Sequence, residues 1–65
     1  MGVDRVIELV GGSPERWEKA VEEALKKTKE KYPNIKGIDV IGFKAVVKDG
    51  QIVEYRANVK IACLL

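Results

Sequence analysis

The run Asp49-Gly50-Gln51-Ile52-Val53-Glu54-Tyr55-Arg56-Ala57-Asn58-Val59-Lys60-Ile61-Ala62-Cys63-Leu64-Leu65 sets the architecture of the chain. Asp-Gly is a preferred pair for a two-residue hairpin turn, because a type I′ turn places both central residues at positive φ. The residues after this pair alternate with the period of a strand. Val53, Tyr55, Ala57, Val59, Ile61, Cys63 and Leu65 share one face, while Ile52, Glu54, Arg56, Asn58, Lys60, Ala62 and Leu64 share the other. A strand is predicted from Ile52 to the C-terminus. On the other side of the turn, a partner strand is predicted from about Ile38 to Lys48. Its alternation falters at Gly42, where a bulge or a close backbone approach is expected.

Further upstream, Tyr32-Pro33-Asn34 marks the end of a helix, since proline cannot continue one and restricts the residue before it. From Glu15 to Lys31, Trp17, Ala20, Val21, Ala24, Leu25 and Thr28 recur at spacings of three and four and form one apolar stripe. Glutamates dominate the first half of the opposite face and lysines the second, which suits the helix dipole and i,i+4 ion pairing. These charges read as a solvated helix face rather than a binding patch. Ser13 is expected to cap this helix and Pro14 to occupy its first position, with Gly11-Gly12 providing a turn after a first strand over Arg5 to Val10. In that strand Ile7 and Leu9 share one face and Val6, Glu8 and Val10 the other.

The order is β-α-β-β. If the helix returns the chain so that the first two strands run the same way, the third can lie between them and antiparallel to both. The fold class is therefore α+β: a three-stranded antiparallel sheet of order 1-3-2 with one helix on one face, forming a single domain over residues 1–65. One helix covers one side only. Val6, Val10, Ile52 and Leu64 are left on the uncovered side, and two strand edges stay open. The C-terminal Cys63-Leu64-Leu65 is expected to pack against another subunit.

Composition agrees. For 65 residues, the hydrophobic gain on folding and the entropy of ordering are of similar size, so the lone chain comes out near zero stability. One cysteine and no histidine exclude an internal disulfide and disfavour a zinc site. Self-association is the stabiliser that remains. A net charge of +2, with twelve basic and ten acidic residues interleaved, is too balanced for a nucleic-acid module. No apolar run approaches a membrane span, and Met1-Gly2-Val3-Asp4-Arg5 does not resemble a secretory leader, so a cytoplasmic protein without nucleic-acid or membrane partners is expected.

Catalysis has little support. No histidine is present to shuttle protons, Ser13 reads as a cap, and Glu22 and Glu23 point to different sides of the helix. Gly11-Gly12-Ser13-Pro14 matches neither nucleotide-binding glycine pattern and reads as a structural turn. Trp17 reads first as a core anchor and then as an interface residue, and Cys63 as a buried thiol. The row Glu54, Arg56, Asn58 and Lys60, which the helix cannot cover, is either solvated or faces an interface, a lumen or a ligand.

Taken together, these residues resemble the dodecin family over nearly the whole chain. Val6-Ile7-Glu8-Leu9-Val10-Gly11-Gly12-Ser13-Pro14 is similar to its first strand and turn, Trp17-Glu18-Lys19-Ala20 to its helix start, and Asp49-Gly50 with Val53-Glu54-Tyr55-Arg56 to its final hairpin. The resemblance implies a non-catalytic subunit of a hollow homo-dodecamer built from trimers, binding a small molecule, commonly a flavin (FMN or riboflavin), for storage or quenching. In flavin-binding members a tryptophan entering the second strand stacks on the isoalloxazine, and a glutamine beside the tyrosine of the third strand hydrogen-bonds it. Here Gly37 and Arg56 stand at those positions, which makes them the candidate ligand-binding residues and implies that classical stacking is weakened or lost. In this the chain resembles the non-flavin branch, including calcium dodecins. Two alternatives remain open: calcium binding by dispersed oxygens such as Glu8, Asp39 or Glu54, and a thiol-dependent carrier using Cys63.

Overall fold

The computed structural model describes residues 4–64. Strand β1 (Asp4–Ser13) leads to helix α1 (Trp17–Lys29), and β2 (Ile35–Lys48) and β3 (Gln51–Leu64) complete the chain as a long hairpin. The sheet order is β1-β3-β2, with β3 antiparallel to both neighbours. The expected α+β architecture is thus the observed one. Asp49 and Gly50 take φ of 53° and 74°, the positive pair that the type I′ turn requires. A register shift between Val40 and Gly42 is the bulge expected near Gly42. It lets Val40 and Phe43, three residues apart, pair with Val59 and Ala57 and so share the helix-facing side.

The junction between β1 and α1 differs from expectation. The strand runs through the glycines to Ser13, with Gly11 opposite Ala57, Gly12 opposite Arg56 and Ser13 opposite Tyr55. The helix starts at Trp17 rather than Pro14, and Arg16, extended at φ −169° and ψ 166°, occupies the cap position without a side-chain capping bond. Ser13 therefore does not cap the helix. Its buried hydroxyl accepts a hydrogen bond from the Glu15 N–H at 3.0 Å, stabilising the turn itself. Gly11 is needed for a different reason than turning: a Cβ there would lie 2.0 Å from the Ala20 carbonyl oxygen, so its absence lets the helix cross close to the strand. At the other end, the Lys31 and Tyr32 N–H groups both donate to the Thr28 carbonyl and close the last turn, so regular helix stops at Lys29. Strand β2 begins at Ile35, three residues before its predicted start, with an irregularity between Ile35 and Gly37.

The core is built from the helix stripe and the buried face of β3. Ala20 and Ala24 pack on Ala57, Val59, Ile61 and Cys63, flanked by Ile7, Leu9, Val21, Ile35 and Ile38. Small residues in the helix permit close packing, while Thr28 is buried because its hydroxyl donates to the Ala24 carbonyl at 3.0 Å. The helix lies mainly over β1 and β3 and scarcely touches β2. Phe43 is consequently 59% exposed although it faces the helix side. Trp17, expected first as a core anchor, sits instead at the margin of the core, with 37% of its surface exposed. Val6, Val10, Ile52 and Leu64 are exposed, as their positions on the uncovered side require. Leu65, expected to pack with its neighbours against another subunit, lies outside the described residues.

Candidate ligand site on the open sheet face

Strand register arranges the open face in cross-strand rows. Val6, Ala62 and Gly37 form one row, Glu8, Lys60 and Asp39 the next, then Val10, Asn58 and Gly42, and finally Gly12, Arg56 and Lys44. Residues directly opposite in a ladder stand about 5 Å apart at Cβ, so each row is a set of interacting side chains. Gly37 and Arg56 both face this side, at opposite ends of the surface. The space beside Gly37 is open: a Cβ built there meets nothing within 4 Å. The row it belongs to is a shallow patch of glycine, alanine and valine with no aromatic surface.

At the far end, Arg56 and Lys44 are opposed cations, an arrangement that is destabilising when uncompensated. Glu54, two residues along the same face, compensates one of them. The Arg56 Nε donates to the Glu54 Oε1 at 2.5 Å, and the pair is solvent-accessible. Gly12 leaves room for this carboxylate, since a Cβ at Gly12 would lie 3.2 Å from Glu54 Oε2. Arg56 is thus anchored by a carboxylate through its Nε, and its terminal guanidinium N–H groups make no other side-chain hydrogen bond among the described residues. Gly37 carries no aromatic surface, and Arg56 has donors only and no amide acceptor.

The remaining candidate residues stand as follows in the sheet and core. Lys60 stands between Glu8 and Asp39 in the ladder, and Glu54 is engaged by Arg56, so each carboxylate considered for calcium has a cationic neighbour. Among the described residues no group of three or more metal-ligating side chains converges. Cys63 is a free thiol buried in the core. No described helix is long and apolar enough to cross a membrane.

A second concavity, not foreseen from the sequence, lies on the other side of the sheet between α1 and β2. Trp17, Val21, Val40 and Phe43 line a cleft of about 650 Å³, with Glu18 and Glu22 along its rim. Trp17 is held in place by its Nε1–H, which donates to the Lys44 carbonyl at 3.0 Å. Its ring makes edge contacts with Tyr55 at 4.8 Å and Phe43 at 5.8 Å between centroids. The only available signal was the broken alternation at Gly42, which is what turns Phe43 toward the tryptophan.

A family model described as Dodecin matches residues 3–65. Among solved structures, the chain is similar to the dodecin from Streptomyces davaonensis, with 25% identity, a TM-score of 0.93, and coverage of 98% of this chain and 94% of that one. It is likewise similar to the dodecin from Streptomyces coelicolor, with 25% identity, a TM-score of 0.95, and coverage of 98% and 91%. A mutant of the Thermus thermophilus dodecin shares the fold at 23% identity and a TM-score of 0.94, with coverage of 100% and 97%. A search of curated proteins finds no significant match.

Proposed function

The chain belongs to the dodecin family, and on that premise we propose that it is a non-catalytic, cytoplasmic small-ligand binding or storage protein that works as a homo-oligomer, a dodecamer by family, with classical flavin stacking weakened or lost. The observation that carries this is the open sheet face. Its ligand-side positions hold a bare glycine at Gly37 and a carboxylate-anchored cation at Arg56, in place of a stacking ring and an amide. The homo-oligomer is supported by apolar side chains on the side the helix leaves bare, Val6 and Val10 among them. Where two copies bring their open faces together, a ligand held there meets donors rather than a π-surface. That selects for acceptor-rich or anionic groups over stacked rings.

The test has two parts. Native mass spectrometry reports subunit number and any retained small molecule together, and a monomer at micromolar concentration refutes the assembly. Titration of FMN or riboflavin into the oligomer is expected to leave flavin fluorescence largely unquenched. Gly37→Trp combined with Arg56→Gln is expected to restore quenching. Strong quenching by the unsubstituted protein refutes the loss of stacking.

A further inference from the structure

The open sheet face carries two charge groupings of opposite sense. Toward the Gly37 end, Lys60 stands between Glu8 and Asp39, one cation against two carboxylates. Toward the hairpin turn, Arg56 and Lys44 are direct ladder partners with Glu54 beside them, two cations against one carboxylate. Glu54 does not serve both. Its contact is to the Arg56 Nε, and among the described residues no ion pair engages Lys44. The terminal edge of the Arg56 guanidinium, where two N–H groups point the same way, is also without a side-chain partner among those residues. Lys44 is held in register opposite Arg56, because its carbonyl accepts the Trp17 Nε1–H at 3.0 Å. Glycines flank the pair. Gly12 completes its row on β1, and Gly42, in the next row on β2, would carry a Cβ that meets nothing within 4 Å.

We propose that Arg56 and Lys44 of one chain form an oxyanion subsite that takes the phosphate group of a small, non-aromatic phosphomonoester. The subsite rests on the small-ligand reading above and names the class of ligand. Opposed like charges weaken a ladder, and an anion between them turns that repulsion into two charge-assisted contacts. Residues directly opposite stand about 5 Å apart at Cβ, so both long side chains can converge on one group. Arginine suits the task, since its end-on fork presents two N–H donors to two oxygens while Nε stays on Glu54; lysine adds a compact point charge. A phosphomonoester carries about −1.5 to −2 charge at neutral pH and three acceptor oxygens, enough for the fork and the ammonium together. A carboxylate has two oxygens, which the fork alone would occupy. Position along the face is selective as well. The same anion placed at Lys60 would meet Glu8 and Asp39 in its own row and be repelled. Between the two groupings lie Gly42 and Asn58, a bare position and an amide, over about 13 Å at the usual rise per residue. That floor suits a short hydroxylated body held by hydrogen bonds. Both cations belong to the same chain, so the subsite is present in every copy.

Calorimetric titration of the full chain in low-salt, phosphate-free buffer tests the subsite, with inorganic phosphate and glycerol phosphate as probes and glycerol and acetate as controls. Both phosphates are expected to bind saturably, acetate more weakly and glycerol not at all. Arg56→Gln is expected to weaken phosphate binding about ten- to a hundredfold, the worth of a charged hydrogen-bonding partner. Lys44→Gln should weaken it too, whereas Lys60→Gln, which removes the same charge from the same face, should leave it unchanged. Thermal unfolding gives a second readout: phosphate should raise the midpoint of the parent and leave that of Arg56→Gln in place. Equal losses at Lys44, Arg56 and Lys60 would mean diffuse attraction to a basic surface and overturn the subsite, as would a parent that gives no saturable heat. Acetate binding as tightly as phosphate overturns the choice of ligand class. A neutral molecule retained in native mass spectrometry, with no phosphate binding, overturns the subsite and leaves the small-ligand reading standing. Phosphate binding alongside strong flavin quenching supports the subsite and refutes only the loss of stacking.

Discussion

Substituting Gly11→Ala puts the close crossing of helix and strand to a quantitative test. The added Cβ would lie 2.0 Å from the Ala20 carbonyl oxygen, 3.0 Å from its carbonyl carbon and 3.1 Å from the Ala24 Cβ. A carbon and a carbonyl oxygen rest at about 3.3 Å or more, so the helix must rise by roughly 1.3 Å or β1 must bow outward by the same amount. Backbone has to move, because the obstructing atoms are main chain. Ala20 and Ala24 are fully buried against β3, and a gap of about 1 Å forfeits up to roughly half of each dispersion contact. Overpacking costs about 1–3 kcal/mol, and a backbone collision belongs at the upper end, near 3. At roughly 4–8 °C per kcal/mol for a domain of this size, the thermal midpoint should fall by about 12–24 °C. Urea titration at one fixed subunit concentration is the assay, since association makes apparent stability concentration-dependent. Gly37→Ala is the control, because its Cβ meets nothing within 4 Å. Variants at Gly11 and Gly37 that agree within about 1 kcal/mol would refute the crossing geometry.

Gly50→Val puts a β-branched side chain at a φ of 74° in the hairpin turn and should cost about 1–2 kcal/mol from backbone strain alone, read by the same titration. An unchanged midpoint would mean that the turn is not of the primed type. Cys63, 2% exposed in the core, should resist a thiol reagent under native conditions and react fully once denaturant is added. Rapid native labelling would favour the thiol-dependent carrier.

The elements themselves were legible because their signals are local. Strict alternation from Ile52 onward, Asp-Gly before it and apolar spacings of three and four in the helix each depend on a few neighbouring residues, and together they specify β-α-β-β and the central position of β3. Gly37 and Arg56 could be assigned to one face from strand parity and resemblance. What Arg56 does there could not, because its 2.5 Å contact with Glu54 depends on the room that Gly12, from another strand, leaves beside the carboxylate. Gly11 shows the same division. Locally a Gly-Gly-Ser-Pro run signals a turn, yet in the folded chain the glycines are strand residues, and the space that Gly11 must leave is set by a helix turn many residues away. The Trp17 cleft lay furthest from local view. It exists because a bulge at Ile41 rotates Phe43 toward a helix that stops short of covering β2, and where a helix lies across a sheet is decided by packing between distant segments rather than by any periodicity within one of them.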